Sequence, residues 1–112
     1  MNVHKAIETF GKYSLQEKID FLGYFAHTLT ILARDTYAVG DDGLTHPSRL
    51  RTINEVQHRV TSFLIALRKD EAQCYPDDVL VRMMLEHPAD VELQRQLREA
   101  FDHLMGQMAA TT

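Results

Sequence analysis

The chain has 112 residues, 45% of them apolar and 25% charged, a balance that fits a globular domain with a single core and argues against disorder. No stretch approaches the ~20 consecutive apolar residues of a membrane span. Its net charge of −4 lacks the basic excess that marks most nucleic-acid-binding domains.

Taken in order, Val3, Ile7 and Phe10 fall on one side of a short helix over 3–10, and Gly11 offers the left-handed stop that ends many helices. Ser14-Leu15-Gln16-Glu17 reads as a capping box. It opens a helix over 15–38 whose apolar residues Leu15, Ile19, Leu22, Ala26, Leu29 and Ala33 recur at helical spacing. At 100° per residue, Phe25 and Leu32 lie beside them. The arc then continues through Phe21 and Thr28 to Tyr24 and Ile31, leaving Asp20, His27 and Arg34 as a narrow polar strip. That is wider than one core-facing stripe requires, so this helix is either central to the bundle or covered by a second chain.

Gly40-Asp41-Asp42-Gly43 marks a turn, and Pro47 with Ser48 or Thr45 starts a helix over 48–69. A link this short makes the two long helices antiparallel neighbours. Leu50, Ile53, Val56, Val60, Phe63, Leu64 and Leu67 form the apolar face of the second. Arg51, Glu55, His58, Ser62 and Lys69 lie opposite, with Ile65 the apolar intruder. Residues 69–73 form a polar break, after which Tyr75-Pro76-Asp77-Asp78 opens a helix over 77–87 that is apolar on nearly every side. Pro88-Ala89-Asp90 restarts the chain into a helix over 89–106, with Leu93, Leu97, Ala100, Phe101, Leu104 and Met108 on one face and a fraying Met-Ala-Ala-Thr-Thr end. The expected fold is therefore all-α, one domain over 1–112. It is an antiparallel helical bundle built on a long hairpin, with a short N-terminal helix and two shorter C-terminal ones.

Charge is spread unevenly. Residues 48–69 carry five basic side chains (Arg49, Arg51, Arg59, Arg68, Lys69) against Glu55, whereas residues 70–112 carry three basic against nine acidic. The second long helix thus either neutralises the acidic C-terminal part or meets an anionic partner through Arg51 and Arg59. A nucleic acid is the lesser possibility for that face, which adds Asn54 and Lys69. The single cysteine, Cys74, precludes an internal disulfide, and MNVHKAIETF lacks the apolar run of a signal peptide; both point to the cytoplasm.

Glu55 and His58, three residues apart, have the spacing of half a carboxylate-bridged metal site. A ferritin-like site would need a second pair from another subunit and further carboxylates such as Asp20 or Asp35. Glu55 and His58 point away from their helix's apolar face, however, so this stays the alternative. His27 and His58 stand at a similar height of the hairpin on polar sides. No nucleophile has a base and an orienting acid at recognisable spacing, and no glycine-rich phosphate loop is present. The leading expectation is a non-enzymatic interaction or regulatory protein without a cofactor or small-molecule substrate. It pairs with itself or another protein through the surplus strip Phe21, Tyr24, Thr28 and Ile31.

Overall fold

Three helices of this chain, the first, second and fifth in order, begin where a side chain satisfies unpaired N–H groups of the first turn. A computed structural model describes residues 2–38, 47–69, 76–86 and 90–110. The side chains at 36–38 and 47, the turn at 40–43, Thr45, the break at 70–73, Cys74, Tyr75, His87, Pro88-Ala89 and the final two threonines lie outside this description.

The Asn2 side-chain oxygen accepts from the Lys5 amide at 2.8 Å and opens α1 (Val3–Gly11). The capping box opens α2 (Leu15–Ala38): Glu17 N–H donates to Ser14 Oγ at 3.2 Å, and Ser14 N–H donates to Glu17 Oε1 at 2.8 Å. Pro47 begins α3 (Pro47–Arg68), at a position where a missing N–H costs nothing. Asp77 and Asp78 occupy the first turn of α4 (Asp77–Leu85), where carboxylates meet the positive helix end. Asp90 Oδ1 accepts from the amides of Glu92 and Leu93 at 3.1 and 3.2 Å and starts α5 (Val91–Ala110). Among the described residues all regular structure is helical, and no helix is long and apolar enough to cross a membrane.

Four helix ends differ from expectation: α4 stops at Leu85, two residues early, α5 starts at Val91, two residues late, and the ends of α1 and α5 differ in kind. Gly11 does not take a left-handed stop; the helix runs through it, and Lys12 follows at φ −85°, ψ −10°. The amides of Lys12 and Tyr13 donate to the carbonyls of Thr9 and Phe10 at 3.1 Å each, a tightened last turn that needs no left-handed residue. At the other end, α5 continues past 106 to Ala110. Gln107, Met108, Ala109 and Ala110 are good helix formers with no breaker among them, so propensity carries the helix on.

Packing centres on α2. It lies most extensively against α3 and also against α5, while α1 packs on α4. The largest fully buried side chains come from every helix: Phe10 from α1, Phe21, Leu22, Phe25 and Leu29 from α2, Ile53, Val56 and Val60 from α3, Met84 from α4, and Leu93, Leu97 and Phe101 from α5. No charged or polar residue is fully buried among those described. Two ion pairs brace the periphery: Lys18 Nζ holds Asp77 at 3.0 Å, and Arg49 Nε holds Asp90 at 2.6 Å. Lys18 also sits 5.5 Å from the Phe10 ring centre, a cation over an aromatic face.

Gly23 lies inside α2, and an added Cβ would have no other heavy atom within 4 Å. Gly23→Ala should therefore raise unfolding free energy by about 0.5–1 kcal/mol by removing backbone entropy from the unfolded chain. Urea denaturation measures it; a loss of stability would mean that the open space beside Gly23 is occupied in solution.

Candidate interaction surface

The width of the α2 apolar arc has an internal explanation. On one flank, Gln57 Nε2 of α3 donates to the Ala26 carbonyl at 3.3 Å and to Thr30 Oγ1. On the other, the Phe101 ring of α5 stands 4.7 Å from Phe21 and 6.0 Å from Phe25, centre to centre. Phe10 and Tyr13 close the end, at 5.7 and 6.1 Å from Phe21. Burial beside these rings, with Glu17 nearby, pushes the Tyr13 phenol up from its ordinary value. A helix with neighbours on two flanks and across one end needs apolar side chains over most of its circumference.

The proposed strip Phe21, Tyr24, Thr28 and Ile31 is consequently divided. Phe21 is corrected from surface to core: it is fully buried, ringed by four aromatic side chains. Thr28 and Ile31 are half-buried, and the Thr28 hydroxyl donates to the Tyr24 carbonyl at 3.0 Å. Tyr24 is 58% exposed. It borders an open groove of about 460 Å³ together with Asp20, Leu104, Gln107, Met108 and Ala110. The last turn of α5 supplies half of this groove, and sequence reasoning missed it by expecting that turn to fray. The unbroken run of helix formers was the available signal.

On α3, Arg51, Glu55, His58 and Arg59 are all exposed. Arg59 Nη2 pairs with Glu55 Oε1 one turn back, at 3.2 Å. Glu55 and His58 therefore stand on the outer face, as their phase implied. Asp20 accepts from Gln16 at 2.9 Å, and Asp35 lies 3.8 Å from Arg34. Among the described residues no three His, Cys, Asp or Glu side chains converge as metal ligands.

The basic helix divides its charges between two uses. Arg49 reaches the acidic C-terminal part as a two-pronged clamp, Nε to Asp90 Oδ2 at 2.6 Å and Nη2 to Oδ1 at 3.2 Å. That hydrogen bonding holds the Asp90 carboxyl below its usual range, helped by the Leu93 and Glu92 amides. Arg51, Arg68 and Lys69 are exposed and form no ion pair among the described residues. A second groove, about 370 Å³, runs between α3 and α4 and is lined by His58, Arg59, Ser62, Phe63, Val79 and Met83.

Comparison with known proteins finds no family model, no curated protein and no solved structure that matches the chain.

Proposed function

We propose that this is a non-enzymatic interaction protein that works through its helical surfaces and pairs with a second copy along the α2–α5 edge. One observation carries the reading: Tyr24, a large aromatic 58% exposed, beside a groove walled by Leu104, Met108 and Ala110. An aromatic anchor next to an apolar groove is the arrangement from which interface hot spots are built. In a two-fold dimer each Tyr24 would enter its partner's groove, so one patch serves as both knob and hole. The long antiparallel hairpin belongs to the same reading. Gln57 stands level with residues 26–30, and Lys18 near the start of α2 meets Asp77, nine residues after the end of α3. The single cysteine suits a reducing compartment such as the cytoplasm.

Sedimentation velocity at tens of micromolar tests the pairing. The wild-type chain should sediment as a dimer of its 12.9 kDa mass and Tyr24→Asp as a monomer. The unfolding free energy of the Tyr24→Asp monomer should stay within about 0.5 kcal/mol of that of the wild-type monomer, as for a surface substitution. Ile31→Asp is the poorer probe, because a half-buried position loses stability as well. A wild-type monomer at that concentration removes the self-pairing reading.

A further inference from the structure

We propose that Met108 is a modification site, whose oxidation to the sulfoxide by a hydroperoxide uncouples the two copies paired along the α2–α5 edge. The consequence rests on the pairing reading above; the selectivity of the reaction rests on burial alone. The structure describes Met83, Met84, Met105 and Met108. Met84 is fully buried, Met105 is 5% exposed and Met83 7%. Met108 packs against the core only in part and lines the open groove beside Tyr24. A thioether reacts at its sulfur, so access orders these sites, and the last turn of α5 presents Met108 to solvent while the other three lie in the core.

The step balances with hydrogen peroxide as the sole co-reactant. The Met108 sulfur attacks one peroxide oxygen, the O–O bond breaks as the S–O bond forms, and a proton shift releases water. The sulfur gives up two electrons and the peroxide takes them. A sulfoxide reductase reverses the step with a thiol as reductant. The lining of the groove decides what the added oxygen does. Met108 shares it with Leu104 and Ala110, which are apolar, and with the Asp20 carboxylate, which offers a sulfoxide oxygen no hydrogen. The Gln107 amide is already engaged with His103 at 3.1 Å. A flexible apolar side chain thus becomes a polar one in a space shaped for apolar contact. In a two-fold pair each copy contributes one groove, so the change counts twice. Pairing also covers Met108, so the oxidant reaches the sulfur in the separated chain and the product stays apart.

The test treats the full chain carrying Cys74→Ser with hydrogen peroxide, the substitution removing the one thiol that peroxide also attacks. Peptide mass spectrometry should find the sulfoxide at Met108 before Met83, Met84 and Met105. Sedimentation velocity should show the dimer dissociation constant raised about tenfold or more, as for an acceptor buried without a donor. Circular dichroism checks that the helices persist, and sulfoxide reductase should restore the pairing. Met108→Leu should keep its own dissociation constant through the same treatment. Conversion of Met108 should also slow as protein concentration rises through the dissociation constant, a protection that Met83 does not share. A dimer that persists with Met108 fully converted overturns this inference and leaves the pairing intact. Loss of pairing in treated Met108→Leu overturns it too, because another site is then responsible. A chain that is monomeric before treatment removes the pairing reading and this inference with it.

Discussion

Phe21→Ala is expected to lower the unfolding free energy by about 3–5 kcal/mol, the largest loss of any single truncation proposed for this chain. Its ring is fully buried and meets four others, with centres at 5.7 Å for Phe10, 6.1 Å for Tyr13, 6.3 Å for Phe25 and 4.7 Å for Phe101. Those rings belong to α2, α5, α1 and the segment joining α1 to α2, so the cavity left by truncation could close only by moving several elements together. Domains of this size are stable by roughly 5–15 kcal/mol in all, so the alanine variant approaches the limit of folding. Phe21→Leu supplies a graded readout, with a cost of about 1–1.5 kcal/mol expected if the site repacks around a similar volume. Urea denaturation of both variants makes the comparison. A cost near zero for Phe21→Ala, accompanied by lost self-association, would return Phe21 to an interface and overturn its place in the core.

That residue also marks where sequence reading reached its limit. Periodicity placed Leu22 and Leu29 of the α2 arc in the core, although Leu15 at its start is 44% exposed, and recognised that the arc was too wide for one neighbour. What periodicity lacks is the number and identity of the neighbours, because an apolar side chain has the same pattern whether an intramolecular or an intermolecular helix covers it. Here α3 and α5 lie on opposite flanks, so Phe21 becomes a hub and Tyr24, three residues on, remains 58% exposed. Simpler situations were legible. On α3 one neighbour dominates, and Ile53, Val56, Val60, Leu64 and Leu67 are buried as the spacing required, with Ile65 left outside. The capping box of α2 was readable because both of its bonds join residues three apart.

Helix ends were harder. Gly11 carries a genuine stop signal, yet the bonds to Thr9 and Phe10 end α1 without using it. At the α5 terminus, nearness to the end of the chain outweighed propensity in the sequence reading. The groove beside Tyr24 was missed for that reason, since Met108 and Ala110 belong to it. The groove between α3 and α4 was hidden differently: Phe63 and Val79 meet only through tertiary packing, and no local pattern announces it.

Asp90→Ala is expected to cost about 1.5–2 kcal/mol, the second largest effect, because one carboxylate performs two separable tasks. As the α5 cap it receives the Glu92 and Leu93 amides, worth about 1 kcal/mol. As the partner of Arg49 it joins the start of α5 to the start of α3. Side-chain exposures of 22% for Arg49 and 29% for Asp90 place that pair nearer a surface ion pair than a buried one, so its share is about 0.5–1 kcal/mol. Asp90→Asn keeps an oxygen for the cap and removes the charge, and should lose only the pair's share. On an Arg49→Ala background the same change should cost almost nothing, since the interaction is already gone. Acid supplies an independent check. Arg49 lowers the Asp90 carboxyl in the folded protein, so the stabilisation is complete above the unfolded-state value, near pH 4, and is lost as pH falls through the lower folded value. The gap between wild type and Asp90→Asn should therefore be constant from about pH 5 to 7 and close on further acidification. A gap unchanged at the lowest pH where both remain folded would mean that the charge of Asp90 contributes nothing, leaving the clamp a hydrogen bond like any neutral one.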